Sequence, residues 1–326
     1  MQISVVDQSP IFTNSDANQA LQDTIKLAEF SDGLGLNRFW LAEHHGSSSF
    51  AGCSPEILIP RIASSTENIR VGSGGVMLMH YSPYKVAENF RLLDSLFPNR
   101  IDLGLGRAPG SDPYQAGALA YGSKTTGPEF FPTKMNDLKS FLCGEKSSTE
   151  SFESVNVTLG LGSIPEVWLL VSSQQGAEYA AQFGLPMALA YFINQDCLEL
   201  ADLYREKFVP SPFAAEPKVS LGVFSLCAET DKEAYELASS SIAWKNNTQL
   251  GKFTAFPTVS ESKEYISHAS EDKSNRTFVG SPQKVKESIQ PILDKVLPDE
   301  LKVITICEPF SARTHSYKLI HDLFNS

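Results

Sequence analysis

No CxxC pair occurs in the 326 residues, and the five cysteines (Cys53, Cys143, Cys197, Cys227 and Cys307) are scattered and odd in number. That pattern argues against a disulfide framework or a structural zinc site. Isolated cysteines of this kind read as small core hydrophobes. Positive charge is also scarce: 27 Lys and Arg stand against 38 Asp and Glu, a formal net charge of -11. An acidic surface disfavours nucleic acid and anionic lipid as partners. The longest strongly apolar stretch, Leu185 to Ile193, is too short to span a bilayer. The opening MQISVVDQSP has neither the basic region nor the long apolar stretch of a secretory leader, so the expected location is cytoplasmic. HExxH is missing, and so is a GxGxxG turn after the first apolar run.

What remains is an ordinary globular balance, 42% hydrophobic and 20% charged. A chain of this length can bury a large core without a metal or disulfide. Short apolar runs alternate with helical patterns. Strands are predicted at Ile3–Val6, Arg38–Ala42, Arg70–Val76, Ile101–Leu105, Glu166–Val171, Pro186–Ala190, Lys218–Cys227 and Leu301–Ile306. Helices are predicted between them. The first runs from Ser15 to Leu34 with Ser15 as N-cap, and the second starts at Pro55 after Ser54. A third covers Pro83 to Phe97, where Val86, Phe90, Leu93 and Phe97 share one face. Later helices are predicted at Thr133–Leu142, Gly176–Phe183, Cys197–Phe208, Asp231–Ser241, Pro282–Val296 and Ser311–Phe324. Residues 107–165 and 245–275 break the rhythm and read as insertions after the fourth and seventh strands, with Gly144 to Ser154 as an exposed loop.

About eight strands, each followed by a helix, fit an α/β (β/α)8 barrel, with residues 1–326 forming one domain. The rival, an open doubly wound sheet, lacks its glycine-rich turn here. In a barrel, function sits where strands end. Those ends carry Asp7, Glu43-His44-His45, Gly72 to Met79, Gly106-Arg107 and Ser172-Ser173.

Each constellation has a functional and a structural reading. Adjacent side chains at a strand end diverge, so His44 and His45 do not easily serve one site. A pocket histidine suits proton transfer, yet it can equally hold a loop. His80 could join the pair on a metal, but no established ligand spacing is present and no metal site is expected. Gly74-Gly75 suits a ligand lying against backbone, or a bulge. Arg107 can hold a phosphate, carboxylate or ring, or close a rim salt bridge. Ser172-Ser173 before a helix can form an anion site or an ordinary cap.

The stretches VVDQSPIF, FWLAEHHGSSSFAGCSP, IRVGSGGVMLMHYSPYKVAENFRLLDSLFPNRIDLGLGRAPGSD and WLLVSSQQGAEYAAQFGLPMALAYFIN resemble the bacterial luciferase-like flavin-dependent monooxygenase family. FVGSP at Phe278–Pro282 resembles that family's late turn into a helix. The resemblance implies a TIM barrel that uses FMN, supplied reduced by a separate flavin reductase. It implies O2 and a small organic substrate, oxidised through a flavin C4a-peroxide. It assigns catalysis to His44, and a cis peptide beside the flavin ring to Gly74-Gly75. It assigns the phosphate end of the flavin to Arg107, Ser172, Ser173 and Gly176. It also implies a homodimer packed through early helices.

Two departures from the family pattern bear on the cofactor. Many relatives have Gly at the position of Val171 and a hydroxyl residue at that of Gly176. The lost hydroxyl is worth roughly 1.5–3 kcal/mol against a charged partner, so modest flavin affinity is expected. A deazaflavin in place of FMN stays open. So do two other readings, a non-catalytic flavin-binding protein or partner subunit on the same fold, and a metal-dependent barrel hydrolase. Phe12, Trp40, Phe50 and Met77 are the expected apolar mouth.

Overall fold

The computed structural model describes residues 1–108, 110, 112–157, 163–266 and 277–325. The strands are β1 (Gln2–Asp7), β2 (Arg38–Leu41), β3 (Arg70–Met77), β4 (Ile101–Gly106), β5 (Glu166–Val171), β6 (Met187–Ala190), β7 (Val219–Cys227), β8 (Thr277–Gly280) and β9 (Glu300–Ile304). Helices α1 (Ala17–Gly33), α2 (Pro55–Ala63) and α3 (Pro83–Leu96) follow the first three strands. Next come α4 (Pro113–Ala120), α5 (Phe131–Cys143), α6 (Gln174–Phe183) and α7 (Leu200–Lys207). Helices α8 (Asp231–Gln249), α9 (Pro282–Val296) and α10 (Phe310–Asn325) complete the chain.

Strands β1 to β7 pair in sequence and in parallel, and β9 closes the ring by pairing with both β7 and β1. The expected (β/α)8 barrel is therefore present, with eight strands in the ring. A ninth strand corrects the reading of Phe278–Pro282 as a turn. The end of β7, Phe224 to Cys227, runs past most of its contact with β9, and β8 pairs with it there. Exposed ladder groups need partners, and β8 supplies them. Pro282 then opens α9 at the favoured first position.

Other boundaries moved for local reasons. Asp16, not Ser15, caps α1: its carboxylate accepts from the Gln19 N–H at 2.8 Å. Helix α8 continues eight residues beyond the predicted Ser241, to Gln249, and takes in the start of the second insertion. Helix α4 was not expected in the first insertion, because its sequence, PYQAGALA, carries no apolar face to bury. Pro109, Ser111 and the 267–275 part of the second insertion lie outside the described residues.

Strand alternation divides the core in two. Outward residues such as Ile3, Val5, Phe39 and Val71 pack under the helices. Inward, Val6, Trp40, Trp168, Ala188 and Ile304 fill the barrel. Beneath the two indoles lies a layer of buried charge. Arg38 donates to Asp102 at 2.8 Å, Glu300 at 2.9 Å and Glu166 at 3.1 Å. Lys302 lies 3.7 Å from the centre of the Trp40 ring and 4.0 Å from that of Trp168. Burial pushes the Lys302 ammonium down to about 8, against the pull of Glu300.

Asp7 ends β1 but does not join the rim site expected at strand ends. It is buried and accepts from Arg313 at 2.6 Å and from Thr24 at 2.5 Å, which ties α10 and α1 to β1. Breaking a buried pair from one side leaves an uncompensated charge, at a cost of about 3–5 kcal/mol. Arg313→Met is expected to lower unfolding stability by about that amount in urea titration. A loss under about 1 kcal/mol would show that the pair is solvated.

Candidate active site

The strand ends β2 to β6 open into one cavity of about 1080 Å³. His44, Gly74, Arg107, Ser172, Ser173 and Gly176 all line it. These residues lie up to 132 positions apart in sequence, and the barrel brings them together. Gly75 does not line the cavity. A Cβ there would lie 2.7 Å from the Gly104 carbonyl oxygen, so its bareness serves the close approach of β4. The Gly74–Gly75 peptide is cis, and the β3–β4 register shifts between Gly74 and Val76. Bulge and cavity wall thus coincide, since a Cβ on Gly74 would meet Trp40 at 3.1 Å.

His44 and His45 diverge as the strand-end argument requires. His44 turns to the cavity and stacks on Phe50, with ring centres 4.6 Å apart. Its Nδ1 is buried without a hydrogen-bond partner. Burial, reinforced by nearby His45, lowers its pKa to about 4. The imidazole is therefore neutral at pH 7 and enters any reaction as a proton acceptor, a weaker base than an exposed imidazole.

His45 belongs to a different arrangement. Its Nε2 lies 2.7 Å from Glu43 Oε1, which also accepts from Tyr81 Oη at 2.8 Å. Glu43 Oε2 accepts from the Met77 N–H at 3.1 Å. The Tyr81 phenol is held protonated by burial and by Glu43. This cluster joins the end of β2 to the end of β3 and fixes the backbone that carries His44.

Across the cavity, Ser173 caps α6, its Oγ accepting from the Gly176 N–H at 3.3 Å. Arg107 donates to Ser173 Oγ at 3.1 Å and to the Gln175 side-chain oxygen. A guanidinium, a capping hydroxyl and a helix N-terminus converge there, as an anion requires. Val171 and Gly176 are coupled: a Cβ at Gly176 would lie 3.3 Å from Val171 Cγ1 and 3.4 Å from Ser173 Oγ. The valine fills the room that a larger residue at 176 would take.

The expected apolar mouth is only partly correct. Met77 lines the cavity, whereas Trp40 is sealed in the barrel floor. Phe12 and Phe50 belong to a cluster with Trp244 and Phe256, where Trp244 and Phe256 stack at 4.6 Å. These last two escaped sequence reasoning; the one signal was a lone tryptophan at the head of a polar stretch. Lys134 was missed too: from α5 it donates to the carbonyls of Met79 at 2.8 Å and Tyr81 at 3.0 Å, bracing the wall. Among the described residues, no group of three or more His, Cys, Asp or Glu could hold a metal ion, and no helix is long and apolar enough to cross a membrane.

Residues 1–294 match the sequence model of the family described as luciferase-like monooxygenase. The Bacillus subtilis protein YwcH is 39% identical, over 99% of this chain and 98% of its own. A luciferase-like monooxygenase of Escherichia coli K12 is 33% identical, over 98% and 96% respectively. The crystal structure of apo-MsnO8 superposes with a TM-score of 0.90 at 35% identity, covering 99% of this chain and 98% of that one. Two more distant structures share the fold. One is the oxygenating constituent of 3,6-diketocamphane monooxygenase in complex with FMN, with a TM-score of 0.71 at 19% identity. The other is an F420-dependent secondary alcohol dehydrogenase, with a TM-score of 0.65 at 12% identity.

The depressed His44 pKa has a sign that can be checked. The unfolded ring takes up a proton near pH 6.5, and the folded ring near 4. Its contribution to stability is complete above pH 6.5 and is lost as pH falls from 6.5 toward 4. NMR titration of the His44 ring is expected to show a midpoint well below 6.5, and His44→Asn should flatten that part of the pH–stability curve. A midpoint at or above 6.5 would contradict the buried, neutral assignment.

Proposed function

The chain belongs to the luciferase-like monooxygenase family, and we propose that it is an FMN-dependent monooxygenase that oxidises a small organic substrate with O2. The observation that carries this reading is the pairing, in one cavity, of an anion-ready end at Arg107 and Ser173 with a proton acceptor at His44. The donor set fits the cofactor: Arg107, Ser172, Ser173 and the first turn of α6 would hold the phosphate, and Gly74 leaves a bare wall for a flat ring. When bound, FMN delivered reduced by a separate reductase would supply the activation of O2. A neighbour of the same fold is described with FMN and another with F420; titration with both cofactors distinguishes them.

The rest is the work of this chain's own residues. Leu169, Leu170, Val171 and Met77 keep water from the reacting atoms. His44 accepts a proton beside the substrate, and Glu43, through Tyr81 and His45, holds the backbone that aims it. Arg107→Ala is expected to weaken FMN binding ten- to a hundredfold, equivalent to about 1.5–3 kcal/mol, while leaving riboflavin binding unchanged. His44→Ala is expected to keep FMN binding within about twofold and to lose product formation, since a positioned acid–base group contributes about 10²–10⁴ in rate. Equal FMN affinity in Arg107→Ala would remove the phosphate assignment. Full turnover in His44→Ala would remove the histidine from the reaction.

The same reading includes a homodimer. Ile57 on α2 is 69% exposed, and Leu92 and Leu96, one turn apart on α3, are 53% and 60% exposed. Helices α2 and α3 pack against each other, and the homodimer reading assigns these exposed apolar residues to the surface that meets a second copy. Sedimentation is expected to show a dimer at micromolar concentration, and Leu92→Glu with Leu96→Lys is expected to give a monomer. A monomeric wild-type chain would refute this assembly.

A further inference from the structure

The cavity's volume of about 1080 Å³ lies at the top of the ~300–1,000 Å³ range of ligand pockets. With its Arg107 end read as the cofactor's, the rest is a substrate chamber, and the charges around that chamber are few. Among the described lining residues, Glu43 and Arg107 are the only Asp, Glu, Lys or Arg. Arg107 is bonded to Ser173 and Gln175 at the α6 end. Glu43 is already occupied by Tyr81, His45 and the Met77 N–H.

Two buried cations of the kind an acidic substrate needs are turned elsewhere. The Lys134 ammonium points behind the wall, into the carbonyls of Met79 and Tyr81. The Lys302 ammonium lies beneath the floor, between Trp40 and Trp168. His44 itself carries no charge at pH 7. An anion placed beside His44 would lose its hydration, meet among the described lining residues no Lys or Arg besides the already bonded Arg107, and face the Glu43 carboxylate. A cation would find that carboxylate's acceptors filled. Met77, Met79, Phe131 and Phe192 offer apolar surface instead.

We propose that the substrate of this chamber is an uncharged molecule with an apolar body, bearing no carboxylate, sulfonate, phosphate or ammonium group. The proposal rests on the reading of this cavity as the place where cofactor and substrate meet. Shape-matched probes separate charge from size: octanamide is neutral, octanoate is anionic and octylamine is cationic.

Calorimetric titration at pH 8, where an imidazole of ordinary pKa is neutral, compares the three on FMN-saturated protein. Octanamide is expected to bind at least tenfold more tightly than either charged probe. Ala116→Lys, on the α4 wall of the cavity, is expected to narrow the gap between octanamide and octanoate at least tenfold. The proposal is overturned if either charged probe matches octanamide, if octanamide does not bind, or if Ala116→Lys leaves the gap unchanged. FMN-free Arg107→Ala protein, which lacks the phosphate-end cation, repeats the comparison. There, the same preference in a chain whose wild type takes up no FMN would reject the flavin reading and keep the substrate class.

Discussion

One guanidinium holds the inside of the barrel together. Arg38 leaves β2 and reaches carboxylates on β4, β5 and β9, so four of the eight ring strands converge on a single side chain. Such a cluster is weak evidence for stability, because desolvation offsets most of the Coulombic gain. Its consequence is geometric. The Trp40 indole donates to Asp102 at 2.9 Å and the Trp168 indole to Glu166 at 3.0 Å, so the carboxylates that bind Arg38 also set the height of both rings. The rings in turn cover Lys302. The charged layer therefore determines where the barrel stops being filled and the cavity begins.

That arrangement separates two electrical regimes. Below the indoles, charges are numerous and paired in opposite signs. Above them, an apolar chamber keeps the resting His44 imidazole neutral. Neutral imidazole beside a reacting atom is useful only if its position is certain, and its Nδ1 has no partner to orient it. Orientation comes instead from stacking on Phe50 and from the backbone, which Glu43 fastens through Met77 and Tyr81. The buried carboxylate beside the histidine thus acts on the chain that carries the ring.

Much of this was legible in the sequence, and the parts that were not share a cause. The ring strands and most helices could be read because each buries one face, and burial imprints a period on the chain. Five of the seven residues expected around the cofactor reached the cavity for the same reason: His44, Gly74, Arg107, Ser172 and Ser173 sit at or just past strand ends, where a closed barrel must place them. Gly176 joined them one turn into α6. Gly75 did not, because a bare glycine in sequence cannot say whether ligand or neighbouring backbone takes the vacant space. Helix α4 left no period because it buries no side chain fully. Strand β8 looked like a turn because its pairing depends on how far β7 runs past the ring. The coupling of Val171 to Gly176 links a strand residue to a helix residue, which no local pattern records.

Some of the unread parts lie in the insertions, and their placement explains why the family resemblance left the substrate open. Ring strands and their immediate ends supply His44, Gly74, Arg107 and Ser173. The first insertion supplies Ala116 and Phe131 to the cavity wall, and the second carries Phe256 to the cluster behind His44. Loops on a barrel vary while its strands persist. Chains that share the strand ends can therefore share a reaction, and chains that differ in these two insertions can differ in what they admit to it. Among the described residues, α4 and α5 complete the wall of a cavity whose strand ends the ring has already placed.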